Sequence, residues 1–187
     1  MGDVAYIALL RGVNIGRGKR VAMADLRALV ERMGYRGART VLNSGNIAFT
    51  GVRMPAAQVA RGLEQAIVDA LEVQVQVIVL TASELAAAAA ANPLLDRASD
   101  LARLVLAVPA DLGDLRRLDS LLARDWAPEA LAVGPRAAYC WCPNGFLESP
   151  VAESVRQALG DSATMRNWAT VAKLLALAKA VRASRDE

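Results

Sequence analysis

The sequence predicts an α+β protein of two tandem ferredoxin-like (βαββαβ-type) units with antiparallel sheets and an extra C-terminal helix. Three observations support this. Apolar runs of strand length alternate with segments of helical periodicity. Two pairs of short strands flank the turn formers Ser44-Gly45 and Gly134-Pro135. The order of elements then begins again after residue 100. We therefore expect units at residues 1–80 and 101–187, joined by a connecting helix and linker at 81–100.

The first half contains six predicted elements. Residues 4–10 form an apolar run suited to a buried strand, and residues 23–33 carry apolar side chains at i, i+3, i+4 and i+7 before Gly34 ends a helix. Strands at 38–43 and 46–50 flank a two-residue turn in which Gly45 supplies a positive φ. A second helix begins at Pro55 and precedes a strand at 73–80. Residues 81–91 are the predicted connecting helix, ended by Asn92-Pro93.

The second half repeats this order. A strand at 101–108 precedes a helix at 111–124, whose apolar stripe is Leu112, Leu115, Leu118 and Leu122. Two strands follow at 130–133 and 136–142, and a helix capped by Ser149 runs to Gly160. Only residues 162–165 remain for a sixth strand before Asn167 caps the last helix.

Composition excludes several kinds of chemistry. The chain has no histidine, which excludes Ser-His-Asp and Cys-His catalysis, histidine-ligated zinc and histidine proton shuttling. Its two cysteines, Cys140 and Cys142, match neither a disulfide framework nor a zinc knuckle, so we expect no metal and no cofactor. A reducing compartment, the lack of a signal peptide and the lack of a spanning apolar run predict a cytoplasmic protein without membrane contact. The net charge of +3 is too small to indicate nucleic-acid binding.

The strongest candidate site is the basic, glycine-rich segment 11–20 between the first strand and the first helix. Converging glycine amides at a helix start, together with cations, form a site for phosphate or carboxylate. The spacing matches neither a P-loop nor G-x-G-x-x-G, and a solvated basic turn is the equal alternative. The predicted ligand-binding residues here are Arg11, Asn14, Gly16, Lys19 and Arg20.

Two further polar segments are candidates. In 43–46, Ser44 and Asn46 are predicted to bind ligand, although turn chemistry alone accounts for these residue types. In 164–170, Asn167 can cap the last helix, while Arg166 adds a fork of donors and Trp168 a flat surface. A core tryptophan and a rim arginine are the alternative there.

Five segments of the chain form a specific combination of motifs: Tyr6 to Gly16, Met23-Ala24-Asp25-Leu26, Asn43-Ser44-Gly45-Asn46, Pro143-Asn144-Gly145 and Thr164 to Trp168 with Thr170-Val171. Together they resemble the bacterial family known as domain of unknown function 1697. The resemblance implies ferredoxin-like α+β halves and no established activity. This chain departs from the family pattern at Phe146-Leu147-Glu148-Ser149-Pro150, which lacks a usual glycine and lysine, and at Ala169, where an asparagine is usual.

Three functions follow as hypotheses. The first is a small phosphate- or carboxylate-bearing ligand held jointly by segment 11–20 and segment 166–170, with no catalysis assigned. The second is an RNA-binding module, in which Tyr6 and Phe49 form a stacking platform on the sheet face. The third is a ligand-free scaffold that dimerises through its sheet faces. Exposure of Tyr6 and Phe49 discriminates the second hypothesis, and the oligomeric state is left open.

Overall fold

The computed structural model describes residues 2–14 and 20–183. Its first half has the predicted order βαββαβ followed by a third helix, and all neighbouring strands are antiparallel, in the sheet order β2-β3-β1-β4. The α+β prediction is therefore confirmed for this half. The elements are β1 (Val4–Arg11), α1 (Met23–Arg32), β2 (Arg36–Val41), β3 (Asn46–Gly51), α2 (Ala56–Leu71), β4 (Gln76–Thr81) and α3 (Ala82–Ala90).

The core of the first sheet lies against α1 and α2. Side chains alternate along a strand, and Tyr6 and Leu10 of β1 belong to the same buried cluster as Leu26 of α1 and Leu63 of α2. The intervening side chains of β1 are buried as well, so the strand shows an unbroken buried run from Ala5 to Leu10. This explains why β1 reads as a continuous apolar stretch rather than as an alternating one.

The second half builds a sheet of the same topology. Its strand order is β6-β7-β5-β8, again with antiparallel neighbours, which confirms the two-sheet prediction. The short sixth strand exists as β8 and pairs with β5, and it extends to Asn167. The elements are β5 (Leu104–Pro109), α4 (Asp119–Leu122), β6 (Ala130–Val133), β7 (Ala138–Trp141), α5 (Pro150–Leu159), β8 (Ala163–Asn167) and α6 (Trp168–Ala183).

The helix predicted at 111–124 is wrong in type. It consists of a 3-10 helix, Leu112–Leu118, followed by the short α4. Leucines recur here at every third residue, which matches the three-residue turn of a 3-10 helix. Three members of this series, Leu115, Leu118 and Leu121, are buried, whereas its first member, Leu112, is 43% exposed and Leu122, outside the series, is 46% exposed. The predicted stripe is therefore wrong at both ends, at Leu112 and at Leu122.

Both hairpins differ from the two-residue turns that the sequence predicts. In the first, Val41 pairs with Asn46, so the loop comprises residues 42–45, and Leu42 and Gly45 both have positive φ. In the second, Val133 pairs with Ala138 across residues 134–137. Two further strands begin later than predicted, β4 at Gln76 and β5 at Leu104. A 3-10 turn capped by Asp100 takes up residues 101–103 before β5.

The chain divides into two compact units, residues 1–85 with 173–187, and residues 86–172. The division after Leu85 falls inside the segment 81–100 expected to connect the units. It differs from the expected boundaries at the C terminus, because most of α6 groups with the first unit. Among the described helices, none has the length and apolar character needed to cross a membrane.

Candidate functional site

A cleft of about 730 Å³ opens in the first unit between the end of the β1–α1 connection, the start of α1 and the β2–β3 hairpin loop. We call it the loop–hairpin cleft. Its volume falls within the range of about 300–1,000 Å³ that is typical of small-molecule sites. The residues that line it are Val13, Asn14, Arg20, Val21, Ala22, Met23, Ala24, Leu42, Asn43 and Ser44.

Asn14 holds the two sides of this cleft together. Its amide Nδ2 donates to the backbone oxygens of Val21, at 2.9 Å, and Asn43, at 2.6 Å. Its Oδ1 accepts from the backbone nitrogen of Val21 at 2.9 Å. Asn14 adopts a left-handed backbone with φ 60°, which asparagine tolerates better than most residues. The side chain therefore closes the β1–α1 connection and fastens it to the hairpin, and its polar atoms serve structure first.

Close packing beneath the cleft fixes the hairpin loop. The backbone nitrogen of Leu10 donates to the backbone oxygen of Gly45 at 2.8 Å. A Cβ atom at Gly45 would lie 2.6 Å from both Leu10 Cβ and Val13 Cγ2, so only glycine fits there. Val13 and Val21 are both buried in the core cluster of this sheet. Both described ends of the β1–α1 connection are thus anchored in the core.

The first turn of α1 faces this cleft without a capping side chain at its N-cap residue. Ala22 occupies the N-cap position with extended backbone and makes no side-chain cap hydrogen bond. Amides in the first turn of a helix lack intrahelical acceptors and favour negative charge. Arg20, which is exposed, precedes the N-cap residue Ala22 by two residues and adds a positive charge. Asp25 places an exposed carboxylate in the same first turn and offsets part of this charge, so attraction of an anion to this end of the cleft depends on Arg20 and the amides of the helix start.

The predicted residues of the first unit are only partly brought together. Asn14, Arg20 and Ser44 line the cleft. Asn46 is fully buried beneath it and donates to Ser44 Oγ at 2.8 Å and to the backbone oxygen of Val41. Arg11 is the last residue of β1, where strand alternation gives it the face of Ile7 and Leu9, opposite to the face packed on α1 and α2. Gly16 and Lys19 lie outside the described residues.

The predicted segment 164–170 lies in the second unit, and most of the contacts of its polar side chains serve the structure. Asn167 Oδ1 accepts from Thr170 N at 2.9 Å and from Thr170 Oγ1 at 2.7 Å, which is the geometry of a helix N-cap. Trp168 is only 8% exposed and so offers no flat open surface. Arg166 Nη1 donates to Thr164 Oγ1 and to the backbone oxygen of Met165. Burial lowers the pKa of Arg166 to about 10, so its guanidinium stays charged at neutral pH.

Tyr6 and Phe49, the stacking platform of the RNA-binding hypothesis, are not exposed on a sheet face. Tyr6 and Phe49 have no solvent-exposed area, and they pack on each other with ring centroids 5.8 Å apart. The hydroxyl of Tyr6 accepts from the backbone nitrogen of Met54 at 2.7 Å and lies 3.1 Å from the backbone oxygen of Val52. Bases stack only on accessible rings, so these two residues cannot receive them in this conformation.

The cysteines are buried side chains of the second unit. Cys140 and Cys142 have no exposed area, and burial is the main cause that raises the pKa of both thiols, that of Cys142 to about 11. The nearby carboxylate of Glu129 accepts a hydrogen bond from Val151 N at 2.8 Å, at the start of α5. Within residues 2–14 and 20–183, cysteines and carboxylates form no group of three suited to hold a metal ion.

Sequence reasoning missed the apolar wall of the cleft, formed by Val13, Met23 and Leu42. Leu42 is the informative case, because it is 52% exposed and adopts a left-handed backbone with φ 58°. The available signal is a leucine placed directly before Asn43-Ser44-Gly45, within a turn whose other residues are polar or glycine. The strand predicted at residues 38–43 conceals this signal, because it places Leu42 in the strand rather than in the loop.

Two antiparallel βαββαβ units, with a cleft at the β1–α1 connection of the first, define the chain as a two-unit α+β protein. Residues 4–139 match the family model described as "Protein of unknown function (DUF1697)", and the chain belongs to that family. The matched range includes the motifs at residues 6–16, 23–26 and 43–46, and ends before those from Pro143 onward.

A solved structure gives the same fold. It is that of the conserved bacterial protein SP0830 from Streptococcus pneumoniae, with 23% sequence identity and a TM-score of 0.73. The similarity covers 95% of this chain and 99% of that one. No curated protein matches the chain. At this level of identity the structural likeness shows the fold alone.

Proposed function

We propose that the first unit binds a small ligand bearing a phosphate or carboxylate in the loop–hairpin cleft. The carrying observation is the convergence, in one cavity of about 730 Å³, of the α1 start without a side-chain cap at Ala22, the exposed cation Arg20 and a wall braced by Asn14. This narrows the sequence-based hypothesis, which also assigned ligand contacts to Asn167 and Trp168. Asn167 caps α6 and Trp168 is buried, so the proposal does not include them. Catalysis forms no part of the proposal.

The free energy available from this arrangement is modest and depends on Arg20. A helix start contributes about 0.3–1 kcal/mol toward an exposed anion. A hydrogen bond to a charged group contributes about 1.5–3 kcal/mol. One arginine and one helix start together supply about 2–4 kcal/mol, which alone gives millimolar affinity or weaker. A ligand of useful affinity must therefore also contact the cleft walls.

The second unit supports the proposal by contrast. At the equivalent connection between β5 and the following 3-10 helix, Asp111 accepts a hydrogen bond from Gly113 N at 2.8 Å. A carboxylate thus already occupies the helix start that an anionic ligand would use. The connection there is also confined to residues 110–111, whereas residues 12–22 join β1 to α1. The topology is shared, but of these two connections the one in the first unit combines an N-cap residue without a side-chain cap, an exposed arginine and a cleft, with Asp25 as the carboxylate of the first turn.

A melting screen with inorganic phosphate, sugar phosphates and nucleoside phosphates tests the proposal. We expect at least one of these anions to raise the melting temperature of the wild-type protein. From the dependence of this shift on anion concentration, Arg20→Ala should weaken the apparent affinity at least about fivefold. Arg61→Ala is the matched control, since Arg61 is an exposed arginine of α2 in the same unit. An equal loss in both variants would indicate bulk charge rather than a site.

The same screen addresses the joint site predicted from sequence. If Arg166 contributes to the ligand, Arg166→Ala removes the stabilisation as Arg20→Ala does. If it serves only the second unit, Arg166→Ala lowers the melting temperature equally with and without anion. An oligonucleotide included in the screen covers the RNA hypothesis, for which burial of Tyr6 and Phe49 predicts no Tyr6-dependent binding.

A further inference from the structure

Leu42 is an unusual residue for a hairpin loop. It is a bulky apolar side chain, 52% exposed, held in a left-handed conformation with φ 58°. L-residues other than glycine, asparagine and aspartate rarely adopt this region, because the Cβ atom approaches the following carbonyl oxygen. The sequence at this position thus accepts both an exposed apolar surface and backbone strain. The loop backbone is fixed by its neighbours, because Asn43 O accepts from Asn14 and Gly45 O accepts from Leu10, whereas the exposed side chain of Leu42 adds nothing to the buried core cluster.

The other two non-glycine residues with positive φ in the described structure have clear structural reasons. Asn14 tolerates the conformation and makes hydrogen bonds to Val21 and Asn43. Glu72 ends α2, and its backbone nitrogen donates to Val68 O at 3.0 Å, as is common at a helix C terminus. Leu42 lines the cleft instead, on the same cavity as Val13 and Met23.

We propose that the ligand of this cleft is an amphiphilic anion, and that Leu42 determines this specificity by contacting its apolar body. The inference rests on the proposed function, since it describes the ligand of the same site. The anionic head lies toward Arg20 and the start of α1. The body, an aromatic ring or a short hydrocarbon, covers the exposed face of Leu42 and removes it from water. Burial of that face provides the wall contact that the head group alone lacks.

Isothermal titration with probes that share a head group tests the inference. Inorganic phosphate, ribose 5-phosphate and phenyl phosphate offer the same anion with no body, a polar body and an apolar body. Acetate and benzoate repeat the comparison for a carboxylate. We expect the wild-type protein to bind phenyl phosphate or benzoate about tenfold more tightly than its polar or bodiless counterpart, an effect of the size given by burying part of a leucine side chain.

Leu42→Asn separates ligand specificity from folding. Asparagine adopts the left-handed region more readily than leucine, so the variant should unfold at the same or a higher denaturant concentration. The preference for the apolar body should nevertheless fall to within about twofold, because the apolar contact is gone. Leu42→Gly repeats the test without a side chain. Leu147→Asn is the control, since Leu147 is a 93% exposed leucine of the second unit and its replacement should leave the preference intact.

Each outcome decides the matter. Equal affinity of the wild-type protein for all probes with one head group would overturn the inference and leave the proposed anion site standing. A preference that persists in both Leu42 variants would overturn the role of Leu42. If none of the five probes binds the wild-type protein, the inference fails, and the melting screen with nucleoside phosphates then decides the proposed function separately.

Discussion

Gly45→Ala should destabilise the first unit severely, because two separate costs fall on one methyl group. The backbone at Gly45 has φ 74°, and placing an L-residue there costs about 1–2 kcal/mol. The new Cβ would also lie 2.6 Å from Leu10 Cβ and Val13 Cγ2, both of which are packed in the core. Forcing such a contact apart typically costs about 1–3 kcal/mol. The expected loss in the free energy of unfolding is therefore about 2–5 kcal/mol.

Gly12→Ala is the matched control for this prediction. Its φ of 71° is almost the same, but an added Cβ meets no atom within 4 Å. It should therefore show only the conformational cost, about 1–2 kcal/mol. Urea denaturation followed by circular dichroism measures both variants against the wild-type protein. Equal losses for Gly12→Ala and Gly45→Ala would refute the close packing between the hairpin loop and β1 on which the cleft geometry depends.

Three further predictions follow from the described contacts. Asn14→Ala should lower the free energy of unfolding by about 1–3 kcal/mol in the same urea assay, since it leaves backbone groups of Val21 without their partner. Asn167→Ala should cost about 0.5–2 kcal/mol, and Asn167→Asp, which keeps the accepting oxygen, should remain near wild type; equal losses would contradict the capping role. Burial raises the pKa of the Cys142 thiol from 9.0 to about 11, so the folded state keeps a proton that the unfolded state releases. The contribution of this thiol to the free energy of unfolding is complete below pH 9 and is lost between pH 9 and about 11. Over that window the urea midpoint of Cys142→Ala should therefore decline less than that of the wild-type protein.

The sequence was sufficient for the elements whose periodicity is unambiguous. The buried run of β1 and the stripes of α1 and α2 follow directly from apolar spacing. The error at 111–124 has a physical cause, because leucines three residues apart fit an α-helical stripe loosely and a 3-10 turn closely. The three-residue spacing of the leucines continues to Leu121, which is buried in place of Leu122.

The cleft was less accessible to sequence reasoning, because its walls come from segments far apart in the chain. The hydrogen bond from Asn14 to Asn43 joins residues 29 positions apart, and no local pattern indicates it. For Arg11 the sequence does contain a signal, because the alternation of β1 places it on the face of Leu9 and not with Arg20. The residue types at 167 and 168 fit either a ligand site or a structural role. Capping accounts for Asn167, and burial in the core accounts for Trp168.

The two units together show where this protein departs from the requirements of its fold. Both build the same antiparallel sheet, so the topology itself demands neither the connection at residues 12–22 nor a left-handed leucine. The second unit, all of whose residues are described, contains no non-glycine residue with positive φ, and it joins β5 to the following helix through a capped turn. The first unit has three such residues in its described part, and Asn14 and Leu42 line one cavity. Strain of about 1–3 kcal/mol at a position persists only where the surrounding structure imposes it or where function benefits from it. Because the contacts of Asn43 and Gly45 fix the backbone of this loop, while the side chain of Leu42 lies outside the buried core cluster, the functional benefit to test at this position is that of the leucine side chain.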